Sequence, residues 1–204
     1  MIDLHGATGR SLRNLSQVGK VSWEWQTTVM SSEKAYFATG CFWGAERRFW
    51  QLPGVLDTSV GYMGGDAPSP TYELVCKGTT GHAEIVEVIF DSTKVSYQEL
   101  LREFWTMHDP TTLNRQGNDI GSQYRSVIFT TTQEQLSIAQ ESASIYQGAL
   151  TAVGCGPITT NIRSAEGMTY WLAEEYHQKY LKKNPLGYDC HSSTGVPYPI
   201  EVPA

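Results

Sequence analysis

Cysteine is scarce in this chain and poorly spaced for metal binding. Cys41, Cys76, Cys155 and Cys190 form no Cys-x-x-Cys pair and no zinc-finger spacing. Four cysteines in 204 residues do not make a secreted disulfide scaffold. No glycine-rich dinucleotide fingerprint follows a suitable strand, so no nicotinamide or flavin is expected. No apolar run approaches bilayer length, which predicts a soluble protein with no membrane partner. Positive charge is also short: 15 Lys and Arg against 21 Asp and Glu leave a net charge of -6. That balance argues against nucleic acid as a partner. No internal repeat is visible. What remains is a chain 40% hydrophobic, able to bury one substantial core and so expected to form one domain.

Residues 1–33 differ from the rest. Met1 to Lys20 holds three basic residues, one acidic residue and little periodicity. It lacks the continuous apolar core of a secretory signal. A tail, a surface arm packed by Trp23 and Trp25, or an organellar address all fit. The expected layout is an N-terminal extension over 1–33 and a single catalytic domain over 34–204. The expected compartment is the cytoplasm, unless the extension is an organellar address.

Tyr36 to Ala38 reads as a strand and Ala45 to Leu52 as a helix. Thr58 to Tyr62 and Ala83 to Phe90 read as strands, the second mostly buried. Residues 64–70 are a Gly/Pro loop. Ser96-Tyr97-Gln98-Glu99 is a capping box, and Tyr97, Leu100, Leu101, Phe104 and Trp105 follow at helical spacing. Asp109 to Ser122 reads as a long polar loop, of the kind that often carries function. Gln123 to Thr130 and Pro157 to Ile162 read as strands. Thr132 to Leu150 and Trp171 to Lys182 read as helices. Residues 184–204 are a Gly/Pro/Ser-rich flexible tail containing Cys190. These elements predict an α+β two-layer domain with a small central sheet.

The most informative stretch is Gly40-Cys41-Phe42-Trp43-Gly44-Ala45-Glu46. Cys41 falls at a strand-to-helix turn, close to the helix N-terminus. There the helix dipole and free backbone N–H groups favour a thiolate, which is the nucleophilic form. Gly40 and Gly44 let the backbone turn tightly and let a ligand approach. A small buried core cysteine is the bland alternative. The glycines and the helix start favour the reactive one.

This stretch resembles the signature of the A-type peptide methionine sulfoxide reductases. Six further segments agree in order and spacing: Pro70-Thr71-Tyr72, Gly81-His82-Ala83-Glu84, His108-Asp109-Pro110-Thr111-Thr112, Arg115-Gln116-Gly117-Asn118-Asp119, Gln123-Tyr124-Arg125-Ser126 and Lys183-Asn184-Pro185-Leu186-Gly187-Tyr188. The resemblance covers residues 34–190. It implies an α+β sandwich, with a small mixed sheet, a βαββαβ-like core and long irregular loops.

The implied activity is reduction of the S-epimer of methionine sulfoxide, free or in oxidised proteins. Such chemistry needs a nucleophile, an acid and a pocket for the thioether methyl. Cys41 is the candidate nucleophile. Glu84 is the candidate acid, provided burial raises its pKa. Tyr72 and Tyr124 can donate hydrogen bonds to the sulfoxide oxygen. Phe42 and Trp43 can wall the methyl group. The resemblance alone gives Asp119 the role of accepting a substrate backbone N–H.

Turnover leaves a sulfenic acid, which condenses with a nearby thiol. The resemblance puts the recycling cysteine after Asn-Pro-x-Gly-Tyr, often directly after the tyrosine. Here Asp189 intervenes before Cys190. A two-cysteine cycle is expected, with a Cys41–Cys190 disulfide reduced by thioredoxin or a similar dithiol. No metal or bound cofactor is expected, and the state expected is a monomer. Cys76 and Cys155 read as structural or incidental thiols. Two rival readings are weighed against this one. One is a cysteine hydrolase or transferase using Cys41, His82 and Asp119. The other is a non-catalytic, redox-sensing binder of methionine sulfoxide.

Overall fold

A computed structural model describes residues 31–189 and 192–199. The arm or tail expected before residue 31, and Cys190 itself, lie outside the described residues. The chain begins with β1 (Ser32–Thr39), α1 (Phe42–Trp50), β2 (Val55–Met63), α2 (Tyr72–Cys76) and β3 (Ala83–Asp91). Next come α3 (Tyr97–Met107), a two-residue hairpin of β4 (Arg115–Gln116) and β5 (Asp119–Ile120), and β6 (Ser126–Thr130). The last elements are α4 (Gln133–Ala152), β7 (Asn161–Ser164), β8 (Trp171–Leu172) and α5 (Tyr180–Lys183).

Six strands form one sheet in the order β7-β6-β1-β3-β2-β8. Only β6 and β7 run parallel; the other neighbours are antiparallel. Within it, β1-α1-β2-β3-α3-β6 is a split βαβ arrangement, with β3 inserted between β1 and β2. This is the mixed sheet and βαββαβ core expected above.

The strand period of two sorts side chains to two faces. Phe37, Val60, Val86 and Val88 meet Phe42, Phe49, Leu101, Phe104 and Tyr146 from α1, α3 and α4 in the main core. Ala38, Ile85, Val127 and Phe129 face the other way, covered by Ala165, Met168 and Tyr170. Each fully buried phenylalanine contributes about 1.5–3 kcal/mol by leaving water. Helix α3 starts where the sequence places it. Ser96 Oγ accepts from the Glu99 N–H at 3.2 Å, and Glu99 accepts from the Ser96 N–H at 2.7 Å.

Several elements depart from expectation. The segment Trp171 to Lys182 is not one helix. Trp171 and Leu172 pair with the edge of β2. The Gln178 side chain continues that pairing: Oε1 accepts from the Val60 N–H and Nε2 donates to the Val60 carbonyl, both at 2.9 Å. Lys179 adopts φ +51°, and only one helical turn follows. Bonds to β2 replace those a helix would make to itself. The strand expected at Pro157 to Ile162 lies later, in β7, where it pairs with β6. Gln123 and Tyr124 belong to a 3₁₀ turn, not to a strand. The β4–β5 hairpin lies where a loop was expected, and α2, five residues capped by Thr71, follows the 64–70 loop in a stretch to which the sequence reading assigned no element.

Candidate active site

Helix α1 starts one residue after Cys41, earlier than expected, so Cys41 is the N-cap itself. Its side chain makes no capping bond, and the residue is 6% exposed. The positive end of the helix dipole thus faces the sulfur's own residue and favours negative charge there. Gly40 makes the turn at φ +96°, and a Cβ there would sit 2.6 Å from the Gln116 side chain. The turn therefore needs glycine both for its dihedral angle and for the close approach of the hairpin. Gly44 lies within α1, not in the turn.

Glu84 pairs with Tyr62 across the β2–β3 ladder. Its place in β3 puts it on the face of Val86 and Val88, beneath the helices. It is 2% exposed, so it is not a solvent-facing strand end. Its Oε2 accepts from the Phe42 N–H at 3.0 Å, which ties the carboxyl to the residue after Cys41. Burial pushes its pKa up to about 8, against the opposing pull of the Phe42 N–H and with help from the Asp119 carboxylate. At neutral pH this carboxyl holds a proton.

Tyr72 begins α2, and Tyr124 ends the 3₁₀ turn before β6. Burial raises both pKa values above the ordinary tyrosine value, and the nearby Glu84 charge adds to the effect. Both remain hydroxyl donors. Cys41 is within electrostatic reach of Tyr72, and Asp119 of Tyr124. Asp119 Oδ1 accepts from the Tyr188 hydroxyl at 3.2 Å, while its buried Oδ2 has no hydrogen-bond partner among the described residues. The structure thus gathers Cys41, Glu84, Tyr72, Tyr124 and Asp119.

The two aromatics of the signature differ. Phe42 is 1% exposed and packs on Tyr62 and His177, at ring distances of 5.9 and 5.1 Å. Trp43 is half-buried and stacks on Tyr180 at 3.9 Å. Its Nε1–H donates to His177 Nδ1 at 3.0 Å, which leaves the His177 proton on Nε2. That Nε2 is buried with no hydrogen-bond partner among the described residues. Burial lowers the His177 pKa, so the ring is neutral at physiological pH.

Sequence reasoning named Phe42 and Trp43 but missed the residues that hold them, His177 and Tyr180, and the carboxylates behind these. Glu174 Oε1 accepts from the Tyr72 N–H and Oε2 from the Tyr62 hydroxyl, both at 2.8 Å. Burial pushes the Glu174 carboxyl up, but these bonds outweigh it and leave its pKa below the usual value. Glu46, fully buried in α1, accepts from the Lys179 backbone N–H at 2.8 Å and from Lys179 Nζ at 3.2 Å. A carboxylate at that signature position was the one available signal, since a buried acid needs a partner.

Cys76 also joins the site. Its thiol lies within electrostatic reach of the Tyr72 and Tyr124 side chains, and burial raises its pKa. Cys155 instead packs against the main core. His82 is buried with both ring nitrogens engaged: Nδ1 accepts from the Gly65 N–H at 3.1 Å and Nε2 donates to the Ala67 carbonyl at 2.8 Å. It braces the 64–67 loop and has no nitrogen left to activate Cys41, which removes the hydrolase reading. Among the described residues, no group of three His, Cys, Asp or Glu is placed to hold a metal. No helix among them is long and apolar enough to cross a membrane.

A helix-capping cysteine bound through the next N–H to a buried, protonated carboxyl defines a thiol-based oxidoreductase. Comparison with known proteins gives the family. The model for peptide methionine sulfoxide reductase matches residues 33–197. The MsrA of Rhodospirillum centenum is 55% identical over 168 residues, 82% of this chain and 76% of that one. The MsrA of Methylococcus capsulatus is 57% identical over 166 residues, 81% of this chain and 74% of that one. The structure of methionine sulfoxide reductase A of Corynebacterium diphtheriae matches with a TM-score of 0.74 at 46% identity, covering 81% of this chain and 83% of that one. Reduced Mxr1 from Saccharomyces cerevisiae matches with a TM-score of 0.69 at 37% identity, covering 79% and 92%. This chain belongs to the peptide methionine sulfoxide reductase family.

Proposed function

We propose that this chain reduces the S-epimer of methionine sulfoxide, free or in proteins, to methionine. The bond from the Phe42 N–H to Glu84 carries the reading, because it locks acid and nucleophile together. The sulfoxide oxygen receives hydrogen bonds from Tyr72 and Tyr124 and the proton of Glu84. The Cys41 thiolate attacks the sulfur. The transient bond between the two sulfurs and the sulfoxide S–O bond then break as the protonated oxygen passes to the Cys41 sulfur; methionine leaves with the electron pair on its sulfur, and Cys41 is left as a sulfenic acid. Trp43 and the ring of Phe42 behind it receive the methyl group. Asp119 accepts the N–H of a peptide substrate, and its unpartnered Oδ2 supports that role. The Cys190 thiol then displaces the oxygen as water and closes a disulfide with Cys41. Thioredoxin or a similar dithiol reopens it by exchange. The catalytic domain runs over 34–204 after the N-terminal extension, and works in the cytoplasm as a monomer.

Single-turnover reduction of each separated epimer of a peptide methionine sulfoxide, followed by thiol counting, tests this reading. Methionine from the S-epimer only, with two thiols lost per chain, is expected. Cys41→Ser yields none. Cys190→Ser yields one methionine per chain but no dithiol-driven cycling. Methionine from neither epimer overturns the reading; full cycling by Cys190→Ser overturns the two-cysteine scheme.

A further inference from the structure

Two consecutive tail residues are gripped by two different elements around Cys41. The Tyr188 hydroxyl donates to Asp119 in β5 at 3.2 Å. The Asp189 carboxylate forms an ion pair with the Arg47 guanidinium of α1. The hairpin that carries Asp119 also presses Gln116 against Gly40, next to Cys41. Arg47 lies on the helix that Cys41 caps, six residues and about 9 Å of helical rise away. Both anchors therefore bracket the nucleophile's turn. Neither is part of the core: the Arg47 and Asp189 side chains are 32% and 31% exposed. Asp189 is also the residue that separates Tyr188 from Cys190.

We propose that Arg47 is a positioning residue for disulfide closure. By holding Asp189 it fixes the point from which the chain continues into Cys190. That raises the effective concentration of the Cys190 thiol at Cys41. The inference rests on the reading of Cys190 as the resolving thiol. In the step concerned, the Cys190 sulfur forms a bond to the Cys41 sulfur, the S–O bond of the sulfenic acid breaks, and the hydroxyl leaves as water with the thiol proton. No other oxidant or reductant enters.

The test is a partition experiment on the full chain. Peptide methionine sulfoxide is turned over once in the presence of a 1,3-dione that alkylates sulfenic acids. Mass spectrometry then reads the ratio of Cys41 adduct to disulfide. This ratio reports closure even where sulfoxide reduction is slower. At low ionic strength Arg47→Ala raises the ratio about three- to fivefold, the scale of a partly exposed ion pair. Its methionine yield stays that of the parent chain. The gap closes at about 1 M salt, where exposed charges are screened. Arg47→Asp combined with Asp189→Arg returns the ratio toward the parent value, a rescue that general destabilisation does not give. A parental ratio in Arg47→Ala, with Cys190→Ser giving adduct only, overturns the tether alone. Disulfide formation in Cys190→Ser overturns the resolving role first, and the tether with it.

Discussion

Glu84 and His177 are both buried ionisable residues at one site, at 2% and 0% exposure. Burial keeps both neutral, by raising one pKa and lowering the other. They are held by opposite means. Glu84 stands in the middle of the sheet, between β1 and β2, and its bond to Phe42 follows from strand register and a helix start. His177 stands on a segment with little regular structure. That segment is pinned by single side chains: Gln178 to Val60, Glu174 to Tyr62 and Tyr72, and Lys179 to Glu46. The groups proposed to react thus sit on a stiff frame, while the pocket wall hangs from a few polar bonds. A change in the frame should strike chemistry; a change in the pins should strike binding and local order.

Of the changes that separate frame from pins, Glu84→Gln gives the largest expected effect. Losing a general acid while keeping a hydrogen-bond donor should cost about 100-fold in the single-turnover rate. The parent rate should fall as pH rises through about 8, where Glu84 loses its proton, and the variant should lack that limb. Stability falls with pH as well, over a window that opens lower. An unfolded glutamate ionises near its ordinary value of 4.5, so between there and about 8 the unfolded chain binds fewer protons than the native one. Parent stability is lost over that window, and Glu84→Gln should gain on the parent as pH rises. Denaturant titrations at pH 5 and pH 8 measure this; an equal difference at both would remove the raised carboxyl from the account.

Glu46→Ala cuts the deepest pin. It leaves the Lys179 N–H and ammonium without their buried acceptor. Global stability should fall by about 2–3 kcal/mol, at the low end for a broken buried pair because Lys179 keeps Asp57 and the Thr58 carbonyl. Hydrogen exchange should accelerate at Ala173, Gln178 and Lys179 well before β3. Uniform loss of protection would mean the wall is no softer than the frame. Trp43→Phe is the mildest break. It removes the donor to His177 Nδ1, worth about 1 kcal/mol, and should raise KM about fivefold with little change in kcat. A fall in kcat at constant KM would move Trp43 from the wall to the chemistry.

Legibility in the sequence followed the same division. The α3 capping box was visible because all its partners lie within four residues. The β3 strand and the Cys41 turn were visible because periodicity and glycine placement encode them, whereas the βαββαβ-like core came only with the family resemblance. Five-residue α2 was too short to show a period, and β7 was displaced because its place is set by pairing with β6. The Trp171–Lys182 stretch misled most, since nothing local reveals that Gln178 will bond to a strand 118 residues away.

The sequence by itself determined the turn that carries Cys41, the α3 capping box, the buried β3 strand and the family signature, because these rest on neighbours and short periods. Only the tertiary structure decided that Glu84 would hold a proton, that His82 would be spent on a loop, and that His177, Glu174 and Glu46 would build the second wall. Those outcomes depend on desolvation and on hydrogen bonds between distant segments. Both exist only once the chain has closed around them.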